Sequence, residues 1–210
     1  MIYKYYTRCH SFRLFFSVIS ILAVLLSSCS TLNINSHSAK KWVGTWSTAP
    51  QLVEPGNVPP APGLTNNSLR QIVRVSIGSD SLRIRFSNAF STSAVKLKAV
   101  KIAVSTGGNT IDATTSKELK FSGKTEVTMN PGAMITSDPI SFDLKSRMDL
   151  AITIYFGETC PNITGHPGSR TTSYLLAGNN TSVNDFSGSV STDHWYIING
   201  IDVKAGYSTP

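Results

Sequence analysis

Over residues 69–88 the chain reads LRQIVRVSIGSDSLRIRFSN, with its apolar residues on alternate positions. Val73, Val75 and Ile77 share one parity, with Arg74 and Ser76 between them. Leu82, Ile84 and Phe86 repeat the pattern against Arg83, Arg85 and Ser87. Successive side chains of a strand point to opposite faces, so each run predicts a half-buried strand. Gly78-Ser79-Asp80-Ser81 predicts a tight turn between them, and the whole stretch therefore a hairpin. Val73, Val75, Ile84 and Phe86 then form its inner face, while Arg74, Arg83 and Arg85 meet on the other.

Similar patterns run through the rest of the chain. Residues 42–49 predict a strand with two aromatic anchors, Trp42 and Trp46. Pro55, Pro59, Pro60 and Pro62 make residues 51–67 an extended loop, because proline fixes φ and donates nothing to a ladder. In residues 95–104 the apolar parity slips from Val95 and Leu97 to Val100, Ile102 and Val104, which predicts a β-bulge near Ala99-Val100. Gly107-Gly108-Asn109 turns the chain. Further strands are expected at residues 118–121, 126–129, 134–136, 140–144, 150–156, 171–176 and 195–203. No window of ten residues after the N-terminal apolar run carries a helical period. Short strands with frequent turn signals predict an all-β fold: one antiparallel β-sandwich or jelly-roll domain.

The N-terminus reads as a targeting segment. Lys4, Arg8 and Arg13 precede an almost unbroken apolar run of thirteen residues, 14–26, too short for a spanning helix of about 20 residues but suited to a signal-peptide core. Leu26-Ser27-Ser28-Cys29 follows and resembles a bacterial lipobox, whose cysteine is acylated and starts the mature protein. An ordinary secretory cleavage site is the alternative. Residues 1–28 are thus expected to be a lipoprotein signal peptide, 29–40 a polar tether and 41–204 the sandwich. The product would be exported to the bacterial cell envelope and anchored by lipid at the outer membrane or cell surface.

Removing the leader changes the charge picture. The full chain has 19 basic and 12 acidic residues, and the mature part keeps 16 of the former, a net +4 without a Lys/Arg block. That pattern gives no reason to expect nucleic acid as a partner. Cys160 would be the one cysteine left beside Cys29, so no internal disulfide is expected, and its expected role is structural.

Candidate chemistry is sparse. His10, His37, His166 and His194 show no metal-ligand spacing, the acids Asp80, Asp112, Asp138 and Asp185 sit in turns, and no Gly-rich phosphate loop occurs. No metal or cofactor is expected. Asp80-Ser81-Leu82 looks like the tail of a Gly-Asp-Ser-Leu esterase motif, with Ser79 in place of the glycine. A nucleophilic serine needs a base in reach and usually a strand-to-helix turn, so Ser81 is expected to be a turn residue only.

WVGTWSTAPQ at residues 42–51 and LRQIVRVSIGSDSLRIRFSNAF at 69–90 resemble the N-terminal region of secreted bacterial SGNH/GDSL-type hydrolases. So do Pro131-Gly132-Ala133, Ser137-Asp138-Pro139, Asp149-Leu150-Ala151, His166-Pro167, Thr172-Ser173-Tyr174 and residues 197–203, in the family's order. The resemblance implies a β-rich domain that precedes an α/β catalytic domain, with residues 205–210 at the boundary to it. It implies an ester-hydrolase lineage without the catalytic block, since no Asp-x-x-His occurs in the chain. The domain would position or complete an SGNH-type catalytic domain, in cis or in trans. A carbohydrate-binding module is the alternative, resting on Trp42, Trp46, Trp195 and Tyr196 if they are exposed together; catalysis by the chain itself is a third. Candidate substrate or interface residues are His166 in a loop, Asn88 at the hairpin end, and Arg74, Arg83 and Arg85 on the hairpin face. Structural roles are the competing expectation for each: a loop histidine, a turn cap and a solvated sheet face.

Overall fold

The computed structural model describes residues 40–206. The expected leader, the lipidation site Cys29, the tether up to residue 39 and residues 207–210 lie outside the described residues.

Fifteen strands occur among the described residues: β1 (Lys41–Ser47), β2 (Gln51–Leu52), β3 (Asn67–Arg74), β4 (Ser79–Ser87), β5 (Val95–Gly107), β6 (Thr110–Glu118), β7 (Val127–Met129), β8 (Met134–Thr136), β9 (Ile140–Leu144), β10 (Asp149–Phe156), β11 (Thr164–His166), β12 (Ser173–Ala177), β13 (Val190–Thr192), β14 (Trp195–Tyr196) and β15 (Ile198–Ala205). Helical structure among them is confined to two 3-10 turns, Pro55–Asn57 and Pro167–Ser169. The first sheet runs β1-β15-β4-β8, with β9 also on β4; the second runs β13-β12-β3-β10-β5-β6, with β7 also on β5; a small third sheet is β14-β11-β2. All pairings are antiparallel. The fold is the antiparallel β-sandwich that the alternation predicts.

Its core is one continuous apolar layer. Leu82, Ile84 and Phe86 of β4 and Ile201 and Val203 of β15 enter from the first sheet, and Val73, Leu150, Ile152, Ile154 and Ile102 from the second. Phe86 is fully buried and meets Phe121 edge to face, with centroids 5.7 Å apart. Such a ring pair adds to burial energetics because its quadrupoles favour that arrangement.

The expected hairpin does not form. β3 pairs with β10 and β12, whereas β4 pairs with β15, β8 and β9, so the two best-patterned strands lie in opposite sheets. Residues 75–78 cross between the layers. The Val75 amide donates to the Met148 carbonyl and the Ser76 amide to the Thr45 carbonyl, each at 3.0 Å. Gly78 packs so closely that a Cβ there would overlap the Leu144 carbonyl oxygen. The alternation also breaks at the crossing: Ile77, expected on the inner face, is 41% exposed. Period-two patterning reports which side chains face inward, not which strand lies alongside, and both layers of a sandwich demand the same pattern.

The bulge in β5 is present, one to two residues before its expected place. Tyr155 pairs with Ala99 but Phe156 with Leu97, which leaves Lys98 as the extra residue. The expected strand 195–203 is broken instead. Ile197 sits at φ 69°, its amide bonded to Thr164 O and its carbonyl to Ser87 N, and this sends β14 to the small sheet and β15 to the first. A β-branched residue in the left-handed region is costly, so the surrounding bonds must hold it there.

Two adjacent polar residues of β3, Arg70 and Gln71, are fully buried. Gln71 points inward, donating through Nε2 to Tyr196 O at 3.0 Å and accepting the Tyr196 amide at 2.6 Å. Arg70 points outward but is covered by the segment after β12. It donates to Thr153 Oγ1 and to the carbonyls of Asn109, Val183 and Asn184 at 2.6–3.0 Å, and its guanidinium lies 3.8 Å from the centre of the Phe186 ring. Burial lowers the Arg70 pKa to about 10, against the upward pull of Asp185.

Two stability measurements test this account. Phe86→Ala should cost about 3–5 kcal/mol in a urea melt, the range for a buried phenylalanine. Arg70→Met keeps much of the apolar stem yet removes the guanidinium's bonds to three carbonyls and leaves Val183 O without a donor among the described residues, so it should still cost about 3 kcal/mol. Amide exchange should speed up first over residues 178–189. A wild-type melt for Arg70→Met would show that the guanidinium bonds do not hold this segment.

Candidate functional site

The structure separates the predicted site residues into different neighbourhoods. Arg83 and Arg85 do share a face, the outer side of the first sheet, because they sit two apart on β4. Arg74 does not join them. It ends β3 in the second sheet, 60% exposed, with its Nη1 3.5 Å from Asp149 Oδ2. The three-arginine face depended on the hairpin and fails with it.

Neither Arg83 nor Arg85 is merely solvated. Asp202 of β15, with only 10% of its side chain exposed, stands between them. Arg83 Nε donates to Asp202 Oδ2 at 3.1 Å, and Arg85 Nη2 lies 3.5 Å from Oδ1. Arg83 also lies over the Trp42 ring at 4.5 Å, and Lys204 Nζ approaches the same ring at 5.5 Å. Arg85 rests on Gly200, where a Cβ would overlap Nη2 and come 2.6 Å from Nε; that Nε is buried and unpaired. One carboxylate thus orients two cations and leaves an excess of one positive charge. Among the described residues neither guanidinium donates a hydrogen bond to any group other than Asp202. Apart from the buried Arg85 Nε, their other N–H groups are available to an acceptor from outside, and a planar guanidinium suits a carboxylate.

Asn88 is fully buried, and it bonds mainly to a distant segment and not only to its own turn. Its Nδ2 donates to the carbonyls of Ser93, Met129 and Asn130 at 3.0–3.1 Å, while Oδ1 has no partner among the described residues. Three contacts from one amide gather residues 88–93 and 129–133 at one end of the sandwich.

His166 closes β11 in the small sheet. Its ring stacks on Trp195 at 6.1 Å and 22°, and Trp195 meets Trp46 edge to face at 4.9 Å. His166 Nδ1 lies 3.0 Å from the Ala49 carbonyl, which only accepts, so Nδ1 carries the proton and Nε2 is the acceptor of the neutral ring. His194 Nδ1 is held in the same way by the Pro167 carbonyl at 2.6 Å. The four aromatics considered for sugar binding do not form one exposed platform. Tyr196 is fully buried, Trp46 and Trp195 pack on each other, and Trp42 lies apart beneath Arg83.

Ser81 stands within β4 opposite Ser141 of β9, and its amide donates to the Ser79 hydroxyl oxygen. It is therefore a strand residue, not a turn residue. No cluster of three or more potential metal ligands occurs among the described residues.

Two features escaped the sequence. Asp202 and Gly200 alternate with Ile201 and Val203, so their outward parity was visible, but their meeting with β4 required the sheet order. Cys160 is the other. It is buried beside a cleft of about 440 Å³ lined in part by Val58, Pro62, Leu64 and Ile163. Burial pushes its thiol up, yet donors from Ser93 and Thr92 and the backbone at Asn162 and Thr92 more than offset this and bring it to about 6.

A depressed thiol pKa stabilises the fold fully above the unfolded value near 9, and the gain is lost as pH falls through 6. The advantage of the wild type over Cys160→Ser, which cannot ionise, should therefore widen from pH 6 to pH 9 in paired urea melts. Parallel curves would mean that the hydroxyl donors do not stabilise a thiolate. Neither a protein-family model nor a curated protein matches the chain, so both neighbourhoods are read from their own chemistry.

Proposed function

We propose that the chain is a non-catalytic N-terminal domain of the SGNH/GDSL ester-hydrolase lineage, exported and lipid-anchored, that positions or completes a catalytic domain. The motif order from Trp42 to residue 203 supports the lineage. The observation that carries the docking role is the pair of guanidiniums fixed by Asp202 on the outer face of the first sheet. Held side chains lose little rotamer freedom when a partner arrives, so less of the contact energy goes into ordering them. The partner surface that suits them carries carboxylates or backbone carbonyls.

The positions of the candidate catalytic groups favour this reading over hydrolysis by the chain itself. Ser81 is held in a ladder with β9, and the two described histidines use Nδ1 on backbone carbonyls at the small sheet. An acyl-transfer site requires nucleophile, base and oxyanion donors around one point.

Two experiments test the proposal. The mature chain should hydrolyse p-nitrophenyl acetate no faster than a heat-inactivated control; activity that vanishes in Ser81→Ala would overturn it. A separately expressed SGNH domain should bind the mature chain, and Arg83→Ala/Arg85→Ala should weaken that binding at least about tenfold, the scale of losing one charged hydrogen bond. Equal affinity for the double variant, with its fold confirmed by a melt, would remove this face from the interface.

A further inference from the structure

The charges of the sandwich are not spread evenly along its strands. β1 begins at Lys41, β4 at Ser79, and β9 and β15 finish at Leu144 and Ala205, all at one end. Lys41 pairs with Ala205, Ser79 pairs with Leu144, and the Ser79 hydroxyl donates to the Lys204 carbonyl at 2.6 Å. The turn at residues 145–148 closes the same end, since the Met148 carbonyl accepts from Val75 and the Ser146 hydroxyl donates to Ser76 O. Arg147 is held there at φ 62° and is exposed.

Lys40, Lys41, Lys145, Arg147 and Lys204 all sit at this end of the chain path and all are exposed, Lys204 reaching over Trp42. Against them stand Asp80, paired with Lys40 at 2.9 Å, and Asp143, bound to Lys145 at 2.6 Å. The five cations exceed these two carboxylates by three, while Asp112 and Asp185 lie at the same end of the second sheet. The opposite end is built from residues 48–66, 88–94, 130–133 and 157–163. Those segments carry Glu54 and Glu158, and two lysines stand against them: Lys96 exchanges backbone hydrogen bonds with Gly157 and Glu158, and Lys98 Nζ donates to Asn66 Oδ1 at 2.8 Å.

We infer that the Lys40/Lys41/Lys145/Arg147/Lys204 end is a membrane-facing surface that takes anionic lipid headgroups. The inference rests on the reading that Cys29 carries the anchor. Lys40 lies eleven residues after Cys29, a span that fully extended reaches about 40 Å at most, so the basic end is the part of the sandwich kept nearest the bilayer. Electrostatic attraction to anionic lipid acts over a Debye length of about 8 Å, and lysine and arginine near the surface each contribute to it. An acyl anchor alone restrains position but not orientation. The basic cluster supplies the orientation: this end inward, the charge-balanced end of Glu54, Glu158, Lys96 and Lys98 outward, the Arg83/Arg85 face turned sideways.

The test uses the mature chain with Cys29→Ser, so that no acyl chain contributes, in co-sedimentation with vesicles. Binding is expected to phosphatidylglycerol-containing vesicles, not to pure phosphatidylcholine, and should fall steeply with salt. Each neutralisation in the series Lys41→Gln, Arg147→Gln and Lys204→Gln should weaken it about fivefold. Lys98→Gln/Lys124→Gln, which removes two charges away from this end, should leave it unchanged. Equal weakening by that control, binding to neutral vesicles, or no vesicle binding with capture of an acidic protein domain instead would each overturn the inference. Fatty-acid labelling of the unaltered chain reads out the anchor separately, so failure there leaves the vesicle result with its own meaning.

Discussion

β3 puts two long polar side chains where a sandwich ordinarily puts apolar ones, and much of the molecule hangs from them. Neighbours on a central strand point to opposite faces, so Gln71 enters the interior while Arg70 leaves through the back of the second sheet. Burying an amide or a guanidinium without partners costs several kcal/mol, and each is therefore tolerated only because its donors are met. Gln71 meets the amide and carbonyl of Tyr196 as another strand would, and so docks the small sheet. Arg70 collects three carbonyls and the Phe186 face, and so folds residues 178–189 over the sheet. The position of His166 follows from the first of these, because Trp195, on which it stacks, precedes Tyr196 in β14.

The sequence displays the strands better than their neighbours. Leu82, Ile84 and Phe86 face inward as their parity requires, and the slip between Leu97 and Val100 is a real bulge. The hairpin was not legible, because a crossing between sheets and a reversal within one both use a short Gly-containing connection. Gly78 looks like a turn glycine and is in fact a close-packing glycine against Leu144. Arg70 was hidden for another reason. Its parity marks it as outward, and only the covering segment, distant in sequence, turns an outward position into a buried one. Asn88 could be read locally only for its bond to Ser93; its bonds to Met129 and Asn130 join segments far apart in sequence.

The same limits explain what became of the candidate site. Arg83 and Arg85 are brought together by one strand, which parity can show, and are made rigid by Asp202 more than a hundred residues later, which it cannot. Trp42, three residues into the described chain, completes the arrangement from β1 on the far side of β15. Three strands thus converge on one pair of cations, and the resulting surface depends on sheet order more than on any local motif.

Gly200 shows why that order matters. A strand interior gains nothing from glycine on its own account, since it lacks a side chain to pack and loses more backbone entropy on folding. Here the missing Cβ lets Arg85 lie against the backbone instead of standing off into solvent. A cation held flat against a sheet keeps its outer edge in a defined plane, and Asp202 offsets part of its charge without covering that edge. An arginine on a freely rotating stem would offer the same hydrogen bonds at a larger entropic cost. The local weakness at Gly200 and the burial of Asp202 are thus two halves of one arrangement, which exchanges a little sheet stability for a preorganised pair of donors.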